Sequence, residues 1–234
     1  MIVDSCAKIL ERVGEADLVL DVGGGAKPFQ RADWVIDLMP YAERGRYGPP
    51  PDPAAERFSA ATWVQRDICD REDWPFANRQ FDFSVCSHTL EDVRDPVWVC
   101  RELMRVSRAG YIEVPSRLEE QTYGIQGPWA GWSHHRWLVD IEAEGLTFVF
   151  KHHVLHNRAS DHFPAGFTDG LPEGDLVQCL LWQDAFEVRE RIFLTAPELD
   201  AYLADYVAGH RRGKPARRWR GPSTLRRRGS PSGR

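Results

Sequence analysis

Leu18-Val-Leu-Asp-Val-Gly-Gly-Gly25 is the stretch that decides the fold of this 234-residue chain. Its first five residues are a short apolar run of strand type, and the run leads directly into three glycines. A strand that ends in a glycine turn lets a ligand approach the backbone at the carboxyl end of a sheet. Gly23 and Gly25 form a G-x-G pattern, but Pro28 stands where a dinucleotide loop has its third glycine. The stretch therefore predicts a ligand site at a strand tip and disfavours an NAD-dependent enzyme.

Acidic residues end three successive predicted strands. Asp21 lies just before the glycines, Asp37 ends the next strand, and Asp67 ends the third. A carboxylate at Asp21 would repel a pyrophosphate and attract a cation, with a turn-capping role as the alternative. Asp37 can accept hydrogen bonds from both hydroxyls of a ribose. Asp67 can accept from an adenine amino group while Ile68 packs on the ring. The three acids together favour a cationic nucleoside ligand.

The other elements up to Pro115 alternate between strands and helices. Strand patterns cover 81–87 and 110–115, and between them lies a helix with Pro96 in its first turn. A further helix is predicted over 4–14. Strands that alternate with helices or loops indicate parallel β-α-β units. The predicted fold class is α/β, with a Rossmann-like, doubly wound and mostly parallel sheet.

The pattern changes after Pro115. Residues 116–137 are polar, aromatic and glycine-containing, and we expect them to form a substrate lid or insertion. A short helix is predicted over 137–144 and a final helix over 197–207. Further strands, expected to add an antiparallel C-terminal part to the sheet, are predicted over 146–155, 176–182 and 187–194.

These motifs, taken in chain order, resemble those of class I S-adenosylmethionine-dependent methyltransferases. The segment after the fourth strand, Leu90-Glu-Asp-Val93, is similar to the Leu-Glu-His-Val-type segment of the small-molecule branch, with Asp92 in place of its histidine. The resemblance covers roughly residues 15–116, about half of the chain. It implies S-adenosylmethionine as the cofactor, whose sulfonium and ammonium suit an acid beside the glycine loop.

The resemblance also implies a set of cofactor-binding residues. They follow the first four strands: Asp21, Gly23, Gly24, Gly25, Asp37, Leu38, Asp67, Ile68, Ser87 and His88. The glycines are expected at the methionine moiety, and Ser87 and His88 near the methyl group.

Histidines supply the catalytic candidates. The segment Gly127-Pro-Trp-Ala-Gly-Trp-Ser-His134-His135 follows the fifth strand, where this fold carries substrate-binding insertions. His134 or His135 is a candidate general base, because an imidazole titrates near neutral pH, and His88 is the third candidate. The alternative is a structural lid whose histidines bond to backbone carbonyls.

A second histidine cluster lies at His152, His153 and His156, on or after a predicted strand. Adjacent histidines are not a recognised ligand spacing, so no metal site is predicted. A metal site that draws on both clusters is the alternative.

Charge divides the chain into a predicted domain, 1–210, and a tail, 211–234. The net charge is −5, yet the tail holds ten Lys or Arg residues and no acid. Such a segment cannot bury enough apolar surface to offset the entropy of ordering, so we expect disorder. The function indicated is methyl transfer to an O or N nucleophile of a small organic acceptor, such as a natural-product or sugar intermediate. The alternatives are a nucleic-acid or protein methyltransferase that uses the tail, and a non-catalytic S-adenosylmethionine-binding module.

Hydropathy and cysteine usage favour a cytoplasmic protein. No apolar run approaches the roughly 20 residues that span a bilayer, so we expect no membrane partner. The chain does not begin with a basic, then apolar, signal sequence. The five cysteines are scattered, which is typical of reduced thiols. Oligomeric state is left open by the sequence.

Overall fold

A computed structural model describes residues 1–46, 52–142 and 145–211. The strands in chain order are β1 (Val19–Val22), β2 (Trp34–Asp37), β3 (Trp63–Gln65), β4 (Phe83–Ser87), β5 (Ala109–Pro115), β6 (Trp137–Glu142), β7 (Gly145–Phe150), β8 (Val177–Gln183) and β9 (Glu187–Glu190). The α-helices are α1 (Val3–Leu10), α2 (Pro96–Val106), α3 (Arg117–Glu120) and α4 (Ala196–Arg211). The predicted tail, apart from residue 211, lies outside the described residues.

The central sheet has six strands in the order β3-β2-β1-β4-β5-β8. The first five are parallel, and β8 runs antiparallel to β5. The strand order reverses beside β1, whose Leu20 pairs with Trp34 on one side and Ser84 on the other. In parallel α/β sheets, ligands bind at this reversal, at the carboxyl ends of the strands. The predicted fold class is confirmed, including the antiparallel C-terminal strand.

Both faces of this sheet are buried, which is why its strands read as continuous apolar runs. One face packs Leu20 and Ile36 against α2, whose Val99 and Leu103 are fully buried. The other packs Val19 and other residues against Ile9 of α1.

Helix α2 begins where the sequence predicts. Asp95 accepts a hydrogen bond from Trp98 N at 3.0 Å, and Pro96 occupies the first turn. A side-chain acceptor at this position satisfies an otherwise unpaired backbone N–H, and proline lacks the N–H that the first turn leaves unpaired.

The predicted helix over 137–144 is wrong, because residues 137–142 form strand β6. This strand pairs antiparallel with β7, and β7 pairs parallel with β9, giving a second, three-stranded sheet. The run Trp-Leu-Val-Asp-Ile-Glu is short and rich in β-formers, so periodicity alone cannot separate strand from helix. Its first three residues are buried against neighbouring elements, which the local sequence does not reveal.

Other boundaries also differ from prediction: α1 ends at Leu10 and β9 at Glu190, before the predicted ends at 14 and 194. Strand β7 ends at Phe150, and a 3₁₀ helix covers His153–His156, so the strand predicted to 155 is too long. Helix α3 lies inside the segment 116–137, where no helix is predicted. In the part of the chain that the structure describes, no helix is long and apolar enough to cross a membrane.

Candidate active site

The glycine loop after β1 is fixed by the two acids that flank it in space. Asp21 is 3% exposed, and its Oδ2 accepts a hydrogen bond from Phe29 N at 2.8 Å. Burial raises the pKa of Asp21 to about 7, although the hydrogen bond from Phe29 N opposes this shift. Asp21 therefore stabilises the glycine loop through its hydrogen bond from Phe29 N, as a turn-capping acid does. Its contact with the cofactor stays a prediction.

Glycine is required at positions 23 and 24 by close packing. Gly23 has φ +74°, and a Cβ there would lie 2.3 Å from Thr89 Cγ2. A Cβ on Gly24 would lie 1.9 Å from Asp21 Oδ2. The positive φ and the missing side chains let the loop fold tightly onto β1 and the segment after β4.

Asp37 holds the far end of the same loop. Its Oδ2 accepts from Gly25 N at 2.9 Å and its Oδ1 from Met39 N at 2.5 Å. Burial raises the pKa of this carboxyl group, against these two hydrogen bonds. Leu38, next to it, exposes 68% of its surface. An acid paired with an exposed apolar side chain at a strand tip suits the ribose and adenine of a nucleoside.

Asp67 forms its contacts with Arg94 and with the backbone of Cys69. It lies two residues beyond β3, accepts from Cys69 N at 2.9 Å and forms an ion pair with Arg94. Although burial opposes it, these two contacts lower the pKa of Asp67. Ile68 is buried in the main core. Residues 67 and 68 thus link the loop after β3 to the loop after β4, and their contact with adenine stays a prediction.

The tip of β4 carries a charged cluster around a buried glutamate of β5. Ser87 Oγ donates to Glu113 Oε1 at 3.0 Å, and Tyr111 OH donates to Oε2 at 2.7 Å. His88 Nε2 lies 3.3 Å from Glu113 Oε1, and its Nδ1 lies 3.4 Å from Glu91 Oε1. His88 also has φ +51°, an uncommon backbone conformation for a residue other than glycine. The cluster fixes the side chain predicted to lie near the methyl group.

These contacts set the charge state of the cluster. Burial would lower the pKa of His88, but the carboxylates of Glu113 and Glu91 outweigh it and raise this pKa to about 9. Burial would raise the pKa of Glu113, but hydrogen bonds from His88, Ser5 and Tyr111 outweigh it and lower this pKa to about 2. At neutral pH, His88 is therefore a cation and a hydrogen-bond donor. It does not have the unprotonated nitrogen that a general base needs.

The His88 ion pair predicts a pH-dependent contribution to stability. The folded pKa of about 9 lies above the ordinary value of 6.5, so the contribution is complete below pH 6.5 and is lost as pH rises through 9. The test compares the wild type with His88→Asn, since asparagine tolerates a positive φ. The Tm difference should be largest near pH 6 and should shrink by pH 10. A difference that does not change with pH would contradict the assignment.

The predicted histidine pair lies on a second buried network. His135 Nδ1 lies 2.6 Å from Glu120 Oε1, and Lys151 Nζ donates to Glu120 Oε2 at 2.7 Å. Glu120 and Lys151 side chains are 2% and 3% exposed. Burial would lower the pKa of His135, but Glu120 outweighs it and raises this pKa. His134, with 55% of its side chain exposed, lies beside His135.

The second histidine cluster is separate from this network. His156 Nδ1 accepts from Ala130 N at 3.0 Å, and its ring contacts Trp129.

Trp137 is buried in the main core, and its Nε1 donates to Val93 O at 2.8 Å. Trp132 is the tryptophan that contacts the His134–His135 pair. The segment 116–137 is thus built partly from core contacts, and its closure over a substrate stays a prediction.

Sequence reasoning missed the buried glutamates. Glu113 lies in the apolar strand Gly110-Tyr-Ile-Glu-Val-Pro115, where an acid needs partners to be buried. Glu120 lies in the unpredicted α3. An acid inside an apolar strand is the one signal that could have pointed to the cluster.

A family model matches part of the chain. Residues 50–112 match the family model described as Methyltransferase domain. This match covers β3, β4, helix α2 and part of β5. Residues 50–112 are thus similar to a methyltransferase domain, the class whose motifs the sequence resembles. S-adenosylmethionine is the cofactor that this class implies for the methyltransferase domain.

The chain has a partial likeness to solved structures that are described as methyltransferases. They include the methyltransferase in a complex with the Haloferax volcanii Trm112 activator (23% identity, 47% of this chain, 51% of that chain, TM-score 0.34). Another, from Bacillus halodurans, has 16% identity over 48% of this chain and 52% of that chain, with a TM-score of 0.36. A third, from Mesorhizobium loti, has 17% identity over 62% of each chain, with a TM-score of 0.36. The chain spans about half to three-fifths of the length of these proteins. No curated protein sequence matches the chain.

Proposed function

We propose that this methyltransferase domain transfers a methyl group from S-adenosylmethionine to an O or N nucleophile of a small organic acceptor. The observation that carries the proposal is the glycine loop at the strand reversal, fixed by Asp21 and Asp37 beside the tip of β4. The cofactor, when bound, supplies a methyl group activated by its sulfonium.

The residues of the loop fit such a cofactor. Asp37 accepts one backbone hydrogen bond on each oxygen, which leaves lone pairs for ribose hydroxyls. Leu38 offers an exposed apolar surface next to them. A carboxylate lining is suited to a cation and unsuited to a pyrophosphate. The same chemistry disfavours a dinucleotide.

The chain's main task in this proposal is positioning. Methyl transfer is a displacement at an activated carbon, so alignment of the acceptor supplies on the order of 7–11 kcal/mol of the barrier. The charged network of His88, Glu113 and Glu91 would hold the loop after β4 in one conformation. His88 would donate a hydrogen bond at the site, and His134 or His135 would face the acceptor. The acceptor's small size is part of the proposal and is supported by the resemblance of Leu90-Glu-Asp-Val93 to the small-molecule branch.

The cofactor half of the proposal is tested with Asp37→Ala. Loss of a charged acceptor for hydroxyl groups costs about 1.5–3 kcal/mol, so the affinity for S-adenosylmethionine should fall roughly 10- to 100-fold in isothermal titration calorimetry. Glu173→Ala, which removes an exposed acid far along the chain, is the matched control and should bind as the wild type does. Equal affinity in the Asp37 variant would argue against the proposed site.

A further inference from the structure

We propose that Asp92, His134 and His135 bind a divalent first-row transition-metal ion such as Zn²⁺. This proposal goes beyond methyl transfer and does not depend on it. Each of the three residues offers one ligand atom, and these atoms all lie within 4.8 Å of one another. His135 Nε2 lies 3.9 Å from Asp92 Oδ1, and His134 Nε2 lies 4.0 Å from Asp92 Oδ2.

The spacing fits a single ion. Two ligand atoms at about 2.0–2.2 Å from a tetrahedral zinc ion are about 3.4 Å apart. Each histidine nitrogen exceeds this by about half an ångström in its distance to an oxygen of Asp92, and the three ligand atoms lie within 4.8 Å of one another. Small movements of His134 and Asp92 can close the gap, because 55% and 39% of their side chains are exposed. Two imidazoles and one carboxylate are a ligand set that zinc and iron sites use.

The backbone around the ligands is held in place. Asp92 lies in the loop after β4, and the two histidines lie just before β6. Arg136 N and Trp137 N both donate to Glu91 O, at 2.7 and 3.1 Å. These bonds join the residue next to Asp92 to the residues that follow His135, so the two ligand-bearing segments cannot separate without breaking them.

The orientation of His135 is fixed by a buried carboxylate. Glu120, 2% exposed, engages His135 Nδ1 at 2.6 Å, which leaves Nε2 directed at Asp92. Metal-bound histidines almost always use their second nitrogen in this way. Lys151, bonded to the other oxygen of Glu120, balances its charge. The arrangement therefore has both a set of ligands and a support for one of them.

Unpartnered buried atoms point to a ligand at the same place. Asp92 Oδ1 is shielded from solvent and has no hydrogen-bond partner. Both carboxylate oxygens of the neighbouring Glu91, whose side chain is 1% exposed, also have no hydrogen-bond partner. The contact of Glu91 with His88 Nδ1, at 3.4 Å, is an ion pair. Buried carboxylate oxygens cost free energy unless they are paired or bind a cation. A divalent ion at Asp92 would offset that cost for Asp92 Oδ1.

The proposal is tested by calorimetric titration of Zn²⁺ into the full chain without S-adenosylmethionine. The wild type should bind one ion in a saturable manner. His134→Ala, at a half-exposed position that leaves the core intact, should weaken the affinity at least tenfold, and Asp92→Asn should do the same. Glu120→Gln should weaken it about 10- to 100-fold through the orientation of His135.

His152→Ala removes an exposed histidine of the other cluster and is the control that should leave the affinity unchanged. The proposal is overturned if the wild type shows no saturable binding, or if His134→Ala binds Zn²⁺ as tightly as His152→Ala. Because the titration contains no S-adenosylmethionine, either result leaves the test of methyl transfer intact.

Discussion

Replacing Gly24 with alanine is expected to destabilise the fold and to weaken S-adenosylmethionine binding at least tenfold. The new Cβ would lie 1.9 Å from Asp21 Oδ2 and 2.4 Å from its Cγ. Asp21 cannot move aside easily, because it is buried and accepts from Phe29 N. Overpacking of a dense region typically costs about 1–3 kcal/mol in the free energy of unfolding. The loop must shift, and the strand-tip site shifts with it.

Thermal unfolding and calorimetric binding measure the two effects. Gly174→Ala is the matched control, because a Cβ there meets no atom within 4 Å. Asp21→Ala combined with Gly24→Ala keeps the new Cβ but removes the carboxylate that it meets. The double variant should therefore be less destabilised than the sum of the single variants. Wild-type stability and affinity in Gly24→Ala would show that the loop is not packed as described.

Glu120→Ala is expected to be the most destabilising single substitution considered. It would leave Lys151, 3% exposed, without its carboxylate and would free His135 Nδ1. Removing one member of a buried ion pair costs about 3–5 kcal/mol, because the remaining charge is buried alone. Chemical denaturation should report this loss as a lower midpoint with little change in slope.

An exposed ion pair serves as the comparison. Glu43 and Arg46 are 51% and 61% exposed, so Glu43→Ala should cost less than about 1 kcal/mol. Glu120→Gln keeps a hydrogen-bond acceptor for His135 and should fall between the two. If Glu120→Ala were no more destabilising than Glu43→Ala, the buried network would contribute little to the fold.

The central sheet could be predicted because its signals are local. Strand β2 and the start of α2 lie where the sequence predicts them, since an apolar run marks the strand and Pro96 marks the first turn of the helix. The glycine loop and Asp37 could be predicted for the same reason. Strand β6 could not be predicted, because its apolar run suits either a strand or a helix, and pairing with β7 selects the strand.

The charged networks could not be predicted because they join distant segments. Ser87 and Glu113 are 26 residues apart, and Glu120 and Lys151 are 31 apart. A lone sequence does not say which buried acid meets which base. His88 shows the consequence: its residue type suggests a general base, whereas its two carboxylate neighbours keep it protonated at neutral pH. Asp21 likewise looks like a cation ligand in sequence and supports the loop in the structure.

The most direct measurement titrates S-adenosylmethionine, and separately NAD, into the wild-type chain in a calorimeter. The glycine loop, with Pro28 in place of a third glycine and the Asp37 carboxylate beside it, predicts a saturable 1:1 isotherm for the sulfonium cofactor and none for the dinucleotide. Saturable binding of NAD, or no binding of S-adenosylmethionine, would contradict that assignment of the strand-tip site.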